Sequence, residues 1–206
     1  MALFGRKAKE LAVSQEDGEE ITEEGTQQVG PIDSEGGLCP AGYLDLGSLF
    51  VPALPGIQLR AQFEDDKKTL RRILLVTGTS GIQLSVIAAP RSGGVWSELR
   101  EQVAESIANA NGISEDVNTK YGTELAAVIP ARMPDGTDGR QPLRIIGIEG
   151  PRWLLRVDLQ GMAAADDATA RGQCEEIIDR IIVNRGAEPR VRMEMLPITL
   201  PKPSKN

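Results

Sequence analysis

The order of strand-like and helical stretches constrains the fold of this chain more than any other feature. Each of two helical stretches follows a run of short strand-like stretches bounded by turn residues. The strand-like stretches before the first helix are 57–63, 69–77 and 81–88, and those before the second are 123–130, 142–148 and 153–159. Because a parallel sheet needs a crossover after nearly every strand, this order indicates antiparallel pairing. It predicts an α+β fold, a mainly antiparallel sheet in a layered sandwich with two packed helices, β-β-β-α repeated twice.

Both helices are predicted to pack one apolar face on the sheet. Residues 94–110 show a helical period, and a second helix begins at Asp166 and Asp167. The two apolar stripes consist of Trp96, Leu99, Val103 and Ile107, and of Cys174, Ile177, Ile178 and Ile181. Residues 181–185, IIVNR, form either a last strand or the end of this helix. Residues 43–56, interrupted by prolines, predict an irregular edge element.

The acidity of the chain is concentrated at its beginning. The formal net charge is −7, of which residues 1–36 carry −6. Residues 14–37 have almost no apolar side chains and no periodicity, which is typical of a solvated linker. We therefore predict a disordered tail over 1–37, a single α+β domain over 38–201 and a short tail over 202–206. The basic amphipathic start, 1–13, either docks on a partner groove, contacts an anionic membrane surface or is simply disordered.

Composition excludes several function classes. The chain has no histidine, so Ser-His-Asp triads, Cys-His dyads and histidine metal sites are impossible in it. The nearly neutral body and the 3% of aromatic residues disfavour nucleic-acid binding. We expect neither a metal nor a cofactor, and the sequence leans towards a protein that is not an enzyme. Neighbouring carboxylates are interpreted as solvated charge: Asp65 and Asp66, Asp135 and Asp138, Asp166 and Asp167, and Glu175 and Glu176.

The sequence also predicts a cytoplasmic protein. No apolar run approaches the ~20 residues that span a bilayer, and no apolar segment follows the basic start as in a secretory signal. Leu38 directly before Cys39 argues against a lipidated cysteine. Cys174 is predicted to be a small buried thiol.

The first candidate site is the string APRSGGVW at 89–96. Backbone amides at a helix start, with Arg91 and two glycines beside them, could hold a phosphate or a carboxylate. The alternative is a helix cap at Ser92 or Gly93, with Gly94 allowing Trp96 to pack closely. The string lacks the lysine of a phosphate-binding loop and the glycine spacing of a dinucleotide site.

The second candidate site is the string EGPRWLLR at 149–156. Alternation along a strand places Trp153 on one face and Arg152 and Arg156 on the other. With Arg144 on the neighbouring strand, these arginines could form a basic patch for an acidic partner or for the chain's own acidic linker. The alternative is a solvated sheet face paired with nearby acids. Trp96 and Trp153 either line a pocket or interface or anchor the core.

Several strings resemble a known family. They are LDLGSLFVPALPGIQLR, AAPRSGGVWSELR, GTEL and GPRWLLR, and through them the chain resembles an uncharacterised actinobacterial family, domain-of-unknown-function family 3710, from about Leu44 to Pro201. The resemblance implies a cytoplasmic protein of high-GC Gram-positive bacteria and no particular reaction, and Cys39 lies outside the pattern. Separately, the order of elements resembles the PsbP-like sandwich, a fold of interaction and accessory proteins, although fold does not fix function.

The leading functional hypothesis is a non-enzymatic protein-interaction or accessory module. Its contacts with an unknown protein partner would lie at the two arginine–tryptophan strings and at residues 1–13. The alternative is a binder of a small anionic ligand, carrying phosphate or carboxylate, at the helix start near Arg91. The sequence identifies neither the partner nor the ligand.

Overall fold

The computed structural model describes residues 30–63, 70–133 and 135–200. Within these ranges the strands and helices follow in chain order: β1 (Ile32–Asp33), β2 (Tyr43–Asp45), β3 (Leu49–Pro52), β4 (Ile57–Phe63), β5 (Leu70–Thr77), β6 (Ser80–Ala88), α1 (Val95–Asn109), β7 (Ile113–Thr119), β8 (Gly122–Arg132), β9 (Asp138–Gly150), β10 (Trp153–Gly161), α2 (Ala168–Asp179) and β11 (Ile182–Val183).

The larger of two sheets has seven strands in the order β4-β5-β6-β10-β9-β8-β7. All of its neighbouring strands are antiparallel. The smaller sheet has the order β1-β11-β3-β2, in which only β1 and β11 pair in parallel. The predicted α+β class with a mainly antiparallel sheet and two packed helices is therefore confirmed, whereas the resemblance to the PsbP-like sandwich stays a prediction.

Alternation along the strands gives the large sheet two apolar faces. On one face, the α1 face, helix α1 packs over β7, β8 and β9 and buries Val95, Trp96 and Ile107. On the other, the α2 face, α2 and the small sheet share one core with the large sheet. Cys174, Ile177 and Ile178 of α2 are buried there, as their helical spacing predicts.

The second run of strands has four members rather than three. The additional strand is β7, ISEDVNT, which pairs with β8 from Ile113↔Val128 to Thr119↔Gly122. Its side chains are exposed or half-buried on both faces, because it lies at the edge of the sheet. An edge strand needs no apolar face, and its sequence therefore lacks the alternation by which strands are recognised.

The beginning of the described chain differs from the predicted linker. Ile32 and Asp33 form β1, whose partner β11 follows α2, and Ile32 donates a hydrogen bond to the carbonyl of Ile181. Ile32 and Asp33 are thus part of the small sheet, and IIVNR contains the short strand β11. The small sheet also takes β2 and β3 from the segment predicted to be irregular. Residues 1–29 and 201–206 lie outside the described residues, and the division into tails and one domain stays a prediction.

A segment near the end of the described chain completes the sheet where β5 separates from β6. The β5–β6 register runs from Thr77↔Ser80 to Ile73↔Leu84. Beyond Leu84, residues 193–196 take the place of β5: the amide of Leu196 donates to the carbonyl of Val86 at 2.8 Å. The central strand β6 is therefore hydrogen-bonded on both sides and completely buried.

Candidate functional site

The start of α1 is occupied by a carboxylate of the chain itself. Glu149, at the end of β9, accepts hydrogen bonds from the backbone amides of Gly94 (3.1 Å), Val95 (2.6 Å) and Trp96 (3.0 Å). Gly94 is the N-cap residue, in the left-handed conformation with φ 82°, and Ser92 is exposed. The helix is thus capped neither by Ser92 nor by Gly93 but by a residue 54 positions after Val95. The carboxylate of Glu149 therefore occupies the position at this helix start where the sequence suggested a bound phosphate or carboxylate.

Both tryptophans pack on glycines of β9. A Cβ atom at Gly147 would lie 2.0 Å from Cδ2 of Trp96, and one at Gly150 would lie 2.0 Å from Cζ2 of Trp153. The indole of Trp96 donates to the carbonyl of Thr123 at 2.7 Å, and that of Trp153 donates to Asp33. With 7% and 1% of their surface exposed, the two side chains are core anchors with satisfied polar atoms.

The structure does not bring the candidate arginines together. Arg156 lies on the α1 face and binds Asp158 through two hydrogen bonds of 2.8 and 3.0 Å. Arg144 lies on the opposite face, because it pairs with Leu159 whereas Arg156 pairs with Gly147. The predicted patch that joined Arg144 to Arg156 is therefore wrong, since the sheet separates them.

The remaining two candidate arginines lie in loops. Arg91 is exposed in the loop between β6 and α1. Arg152 occupies the turn between β9 and β10 with a positive φ of 64°. The two loops are adjacent, because the amide of Ala89 donates to the carbonyl of Arg152 at 3.0 Å. In the described part of the chain neither side chain forms an ion pair.

Another concave surface lies elsewhere, on the α2 face of the outermost strands. This cleft has a volume of about 660 Å³ and extends between β7, β8, β9 and the loop before α2. We call it the β7 cleft. Its apolar lining includes Ile113, Val117, Ala126, Val128, Pro142 and Ala164. Ile113 is 64% exposed, which is unusual for a large apolar side chain of a strand.

Arg144, in the lining of the β7 cleft, belongs to a buried ion pair. Arg144 on β9 donates to Glu124 on β8, and both side chains are almost completely buried. Burial lowers the pKa of Arg144, and the nearby guanidinium of Arg171 lowers it further. Arg171 itself donates to the carbonyl of Ala165 at 3.0 Å and so holds the loop that closes one side of the cleft. The ion pair thus joins two neighbouring strands, β8 and β9.

The tip of the β7–β8 hairpin is attached to α2. Lys120 lies 2.8 Å from Asp179 and 3.1 Å from Glu175, and the hydroxyl of Tyr121 donates to Asp179 at 2.6 Å. Burial raises the pKa of Tyr121, and the neighbouring Asp179 raises it further. These contacts fix the edge strand relative to α2. The cleft is therefore a formed surface and not a gap between independent elements.

Two carboxylates at the cleft have no cation bound to them among the described residues. Glu115 on β7 and Asp166 before α2 both line the cleft and are exposed. The one guanidinium of the lining, Arg144, already binds Glu124. The surface available to a ligand or partner is therefore apolar with an acidic rim. Sequence reasoning missed this site because its lining comes from an unpredicted strand and from residues that only the topology brings together.

Other candidate groups have structural roles. Asp167 caps α2 by accepting from the amide of Ala170 at 3.0 Å, and Asp135 accepts from the amide of Thr137 at 2.9 Å. Asp65 and Asp66 lie outside the described residues. In residues 30–63, 70–133 and 135–200, no group of three or more His, Cys, Asp or Glu side chains is placed to hold a metal ion. Over the same ranges, no helix is long and apolar enough to cross a membrane.

The chain matches the model of a protein family. The model of the family described as "Protein of unknown function (DUF3710)" matches residues 30–206. This match covers all the described strands and helices, including β1. No curated protein matches the chain.

Proposed function

We propose a function for this member of the DUF3710 family from the surface of the molecule. The chain belongs to that family, whose description assigns no activity. We propose that it is a non-enzymatic protein-interaction module that binds an extended, basic segment of a partner protein in the β7 cleft. The single observation that carries this proposal is an apolar cleft with an acidic rim beside an edge strand.

The first component is the edge strand itself. β7 has one strand neighbour among the described residues, β8, so its other edge presents backbone amide and carbonyl groups. An extended peptide can pair with such an edge and continue the sheet. Charged side chains on an edge strand prevent pairing with unselected chains, and β7 carries Glu115 on the α2 face and Asp116, which pairs with Arg100 of α1 at 3.1 Å, on the α1 face. The edge is thus open, but only to a segment that tolerates the carboxylate of Glu115.

The second component is the apolar lining. Alternate side chains of an added strand would point to the α2 face and meet Ile113, Val117 and Val128. Burying these side chains would contribute roughly 25 cal/mol for each Å² of apolar surface removed from water. The backbone pairing gives affinity, and the lining selects apolar side chains at every second position of the partner.

The third component is charge. Glu115 and Asp166 line the cleft without a bound cation, whereas Arg144 is already paired. Basic side chains on the partner would therefore be favoured, and acidic ones would be repelled. The alternative of a small anion on the helix start near Arg91 receives less support, because such a ligand would have to displace Glu149.

Site-specific cross-linking tests the proposal. A photoreactive amino acid is placed at Ile113, and in a matched control at Val191, which is 73% exposed, in the full chain in cells of the source organism. We expect one segment rich in Lys, Arg and alternating apolar residues to cross-link to position 113 alone. A synthetic peptide of that segment should bind the purified protein, about tenfold more weakly with Ile113→Lys and unchanged with Val191→Lys. An acidic segment, or equal cross-linking at both positions, would contradict the proposal.

A further inference from the structure

A second cleft, beside the small sheet, contains two arginines that form no ion pair in the described part of the chain. It lies between the residues that follow β1, the β9–β10 turn and the segment after β11, and its volume is about 210 Å³. We call it the arginine cleft, after Arg152 and Arg185 in its lining. The full lining is Asp33, Ser34, Glu35, Gly36, Pro151, Arg152, Arg185, Gly186 and Ala187.

Arg152 is held in the cleft by an unfavourable backbone conformation. The turn Pro151–Arg152 joins β9 to β10, and Gly150 pairs with Trp153 across it. Proline followed by a residue of positive φ matches a type II turn, which normally takes glycine or asparagine at its second central position. Arg152 adopts φ 64° there. A side chain in the left-handed region is costly, and such residues concentrate at functional sites, so this outlier points to a use for the guanidinium.

Arg185 is fixed from the opposite wall. One of its terminal nitrogens donates to the backbone carbonyls of Gly186, at 3.1 Å, and of Glu188. Its Nε atom is buried and has no hydrogen-bond partner. Burial lowers the pKa of Arg185, and the nearby positive charges of Arg152 and Arg190 lower it further. The fold thus places the positive charges of Arg152, Arg185 and Arg190 near each other, where Glu194 offsets them in part and a bound anion would offset them further.

The nearby carboxylates accept hydrogen bonds from groups other than Arg152 and Arg185, with one exception. Asp33 accepts from the amide of Glu35 and from the indole of Trp153. Glu188 and Glu194 both bind Arg190, at 3.1 and 3.0 Å. The carboxylate of Glu35 remains at the exposed rim of the cleft. The lining therefore carries two guanidinium groups, Arg152 and Arg185, and two carboxylates, of which Asp33 accepts from neutral donors and Glu35 lies at the exposed rim.

We infer that the arginine cleft binds a small oxyanion of the phosphate type, inorganic phosphate or the phosphate group of a small monoester. Guanidinium groups match the geometry of phosphate oxygens and can donate two parallel hydrogen bonds to them. The cleft volume of about 210 Å³ accommodates a phosphate group, and the cleft adjoins a second concavity that shares Asp33, Ser34, Glu35 and Pro151 with it. This site is independent of the β7 cleft.

The test is titration of the full chain with inorganic phosphate at a constant ionic strength maintained with chloride. Binding is measured by calorimetry and by the change in melting temperature. The variant Arg152→Gly removes a guanidinium and places the preferred residue at φ 64°. Without phosphate we expect its melting temperature to rise by about 2–4 °C. A loss of binding in this variant therefore cannot come from unfolding. We expect saturable binding to the wild type and at least tenfold weaker binding to Arg152→Gly and to Arg185→Gln.

Two controls define the outcome. Arg60→Gln removes an exposed arginine at the far edge of the sheet and should leave phosphate binding unchanged. Arg91→Gln tests the helix start, and a loss of binding in this variant alone would assign the anion to that site instead. Absence of saturable binding in the wild type, or equal binding in Arg152→Gly, would overturn the inference. Binding of succinate but not phosphate would refute the assigned ligand class.

Discussion

The carboxylate of Glu149 lies 2.6 Å from the backbone nitrogen of Val95 and joins the end of β9 to the start of α1. It satisfies amides that have no partner within the helix, and its negative charge lies at the positive end of the helix dipole. The same strand also holds Gly147, on which Trp96 packs. Residues near the end of β9 thus determine both where α1 begins and how closely it approaches the sheet.

Removing this cap should destabilise the protein. We expect Glu149→Ala to lower the free energy of unfolding by about 1–2 kcal/mol, since three amide hydrogen bonds and a favourable charge are lost. Glu149→Gln should cost less, because its amide oxygen can still accept. Urea denaturation measures both, with Glu176→Ala, an exposed glutamate of α2, as the control. A midpoint equal to that of the control would show that the cap contributes nothing.

Two glycine substitutions should have opposite effects. Gly147→Ala would place a methyl group 2.0 Å from the indole of Trp96, and we expect a loss of about 1–3 kcal/mol or more. Gly172→Ala in α2 meets no heavy atom within 4 Å and should stabilise the helix by about 0.5–1 kcal/mol. Thermal unfolding followed by tryptophan fluorescence compares the two. A neutral Gly147→Ala would mean that α1 does not pack as closely as described.

Removing one partner of the buried pair Arg144–Glu124 should lower the free energy of unfolding more than removing both partners. Glu124→Leu leaves a buried guanidinium without its carboxylate, which typically costs about 3–5 kcal/mol. Combining it with Arg144→Met removes the unpaired charge and should recover most of that loss. A double-mutant cycle from denaturation midpoints gives the coupling. Additive losses would show that the two side chains act independently.

The two cysteines should differ in reactivity and in their effect on the pH dependence of stability. Cys174 is completely buried, and burial raises the pKa of its thiol to about 11 from an ordinary value of 9.0. A thiol reagent at neutral pH should label Cys39 in the native protein and Cys174 only after unfolding. Above pH 9 the unfolded chain loses the Cys174 proton first, so stability should fall as the pH rises towards 11.

The variant Cys174→Ala checks this pH dependence. Its urea midpoint should decrease less between pH 9 and pH 11 than the midpoint of the wild type. Parallel curves would show that the thiol does not contribute. The labelling experiment is separate, and two reactive thiols in the native protein would contradict the burial of Cys174.

Patterns within short stretches were sufficient to predict the helices and the central strands. The stripes through Trp96 and Cys174 recur at helical spacing, and the strands that bury one face alternate clearly. β7 was not predicted because both of its faces are partly exposed, and its polar residues resemble those of a loop. The strand β1 was not predicted either, because it is only two residues long and follows a polar segment.

The candidate site depended on contacts that no local pattern encodes. Rules for helix caps consider residues next to the helix, whereas Glu149 lies 54 positions beyond Val95. Arg144 and Arg156 lie on opposite faces because an even number of positions separates them across a hairpin with a two-residue turn. The sequence alone does not give this register of the β9–β10 turn. The unusual residue at the turn, Arg152, is visible in the sequence as proline followed by arginine where glycine is common.

The small sheet has a consequence for the folding pathway. Its parallel pair joins Ile32 to Ile182, so it closes a loop of about 150 residues for only a few hydrogen bonds. Contacts between such distant residues form late, after the meander of the large sheet and α2 have positioned β11. By the same reasoning, the small sheet should open before the large one, and amide hydrogen exchange should occur there at a lower opening free energy.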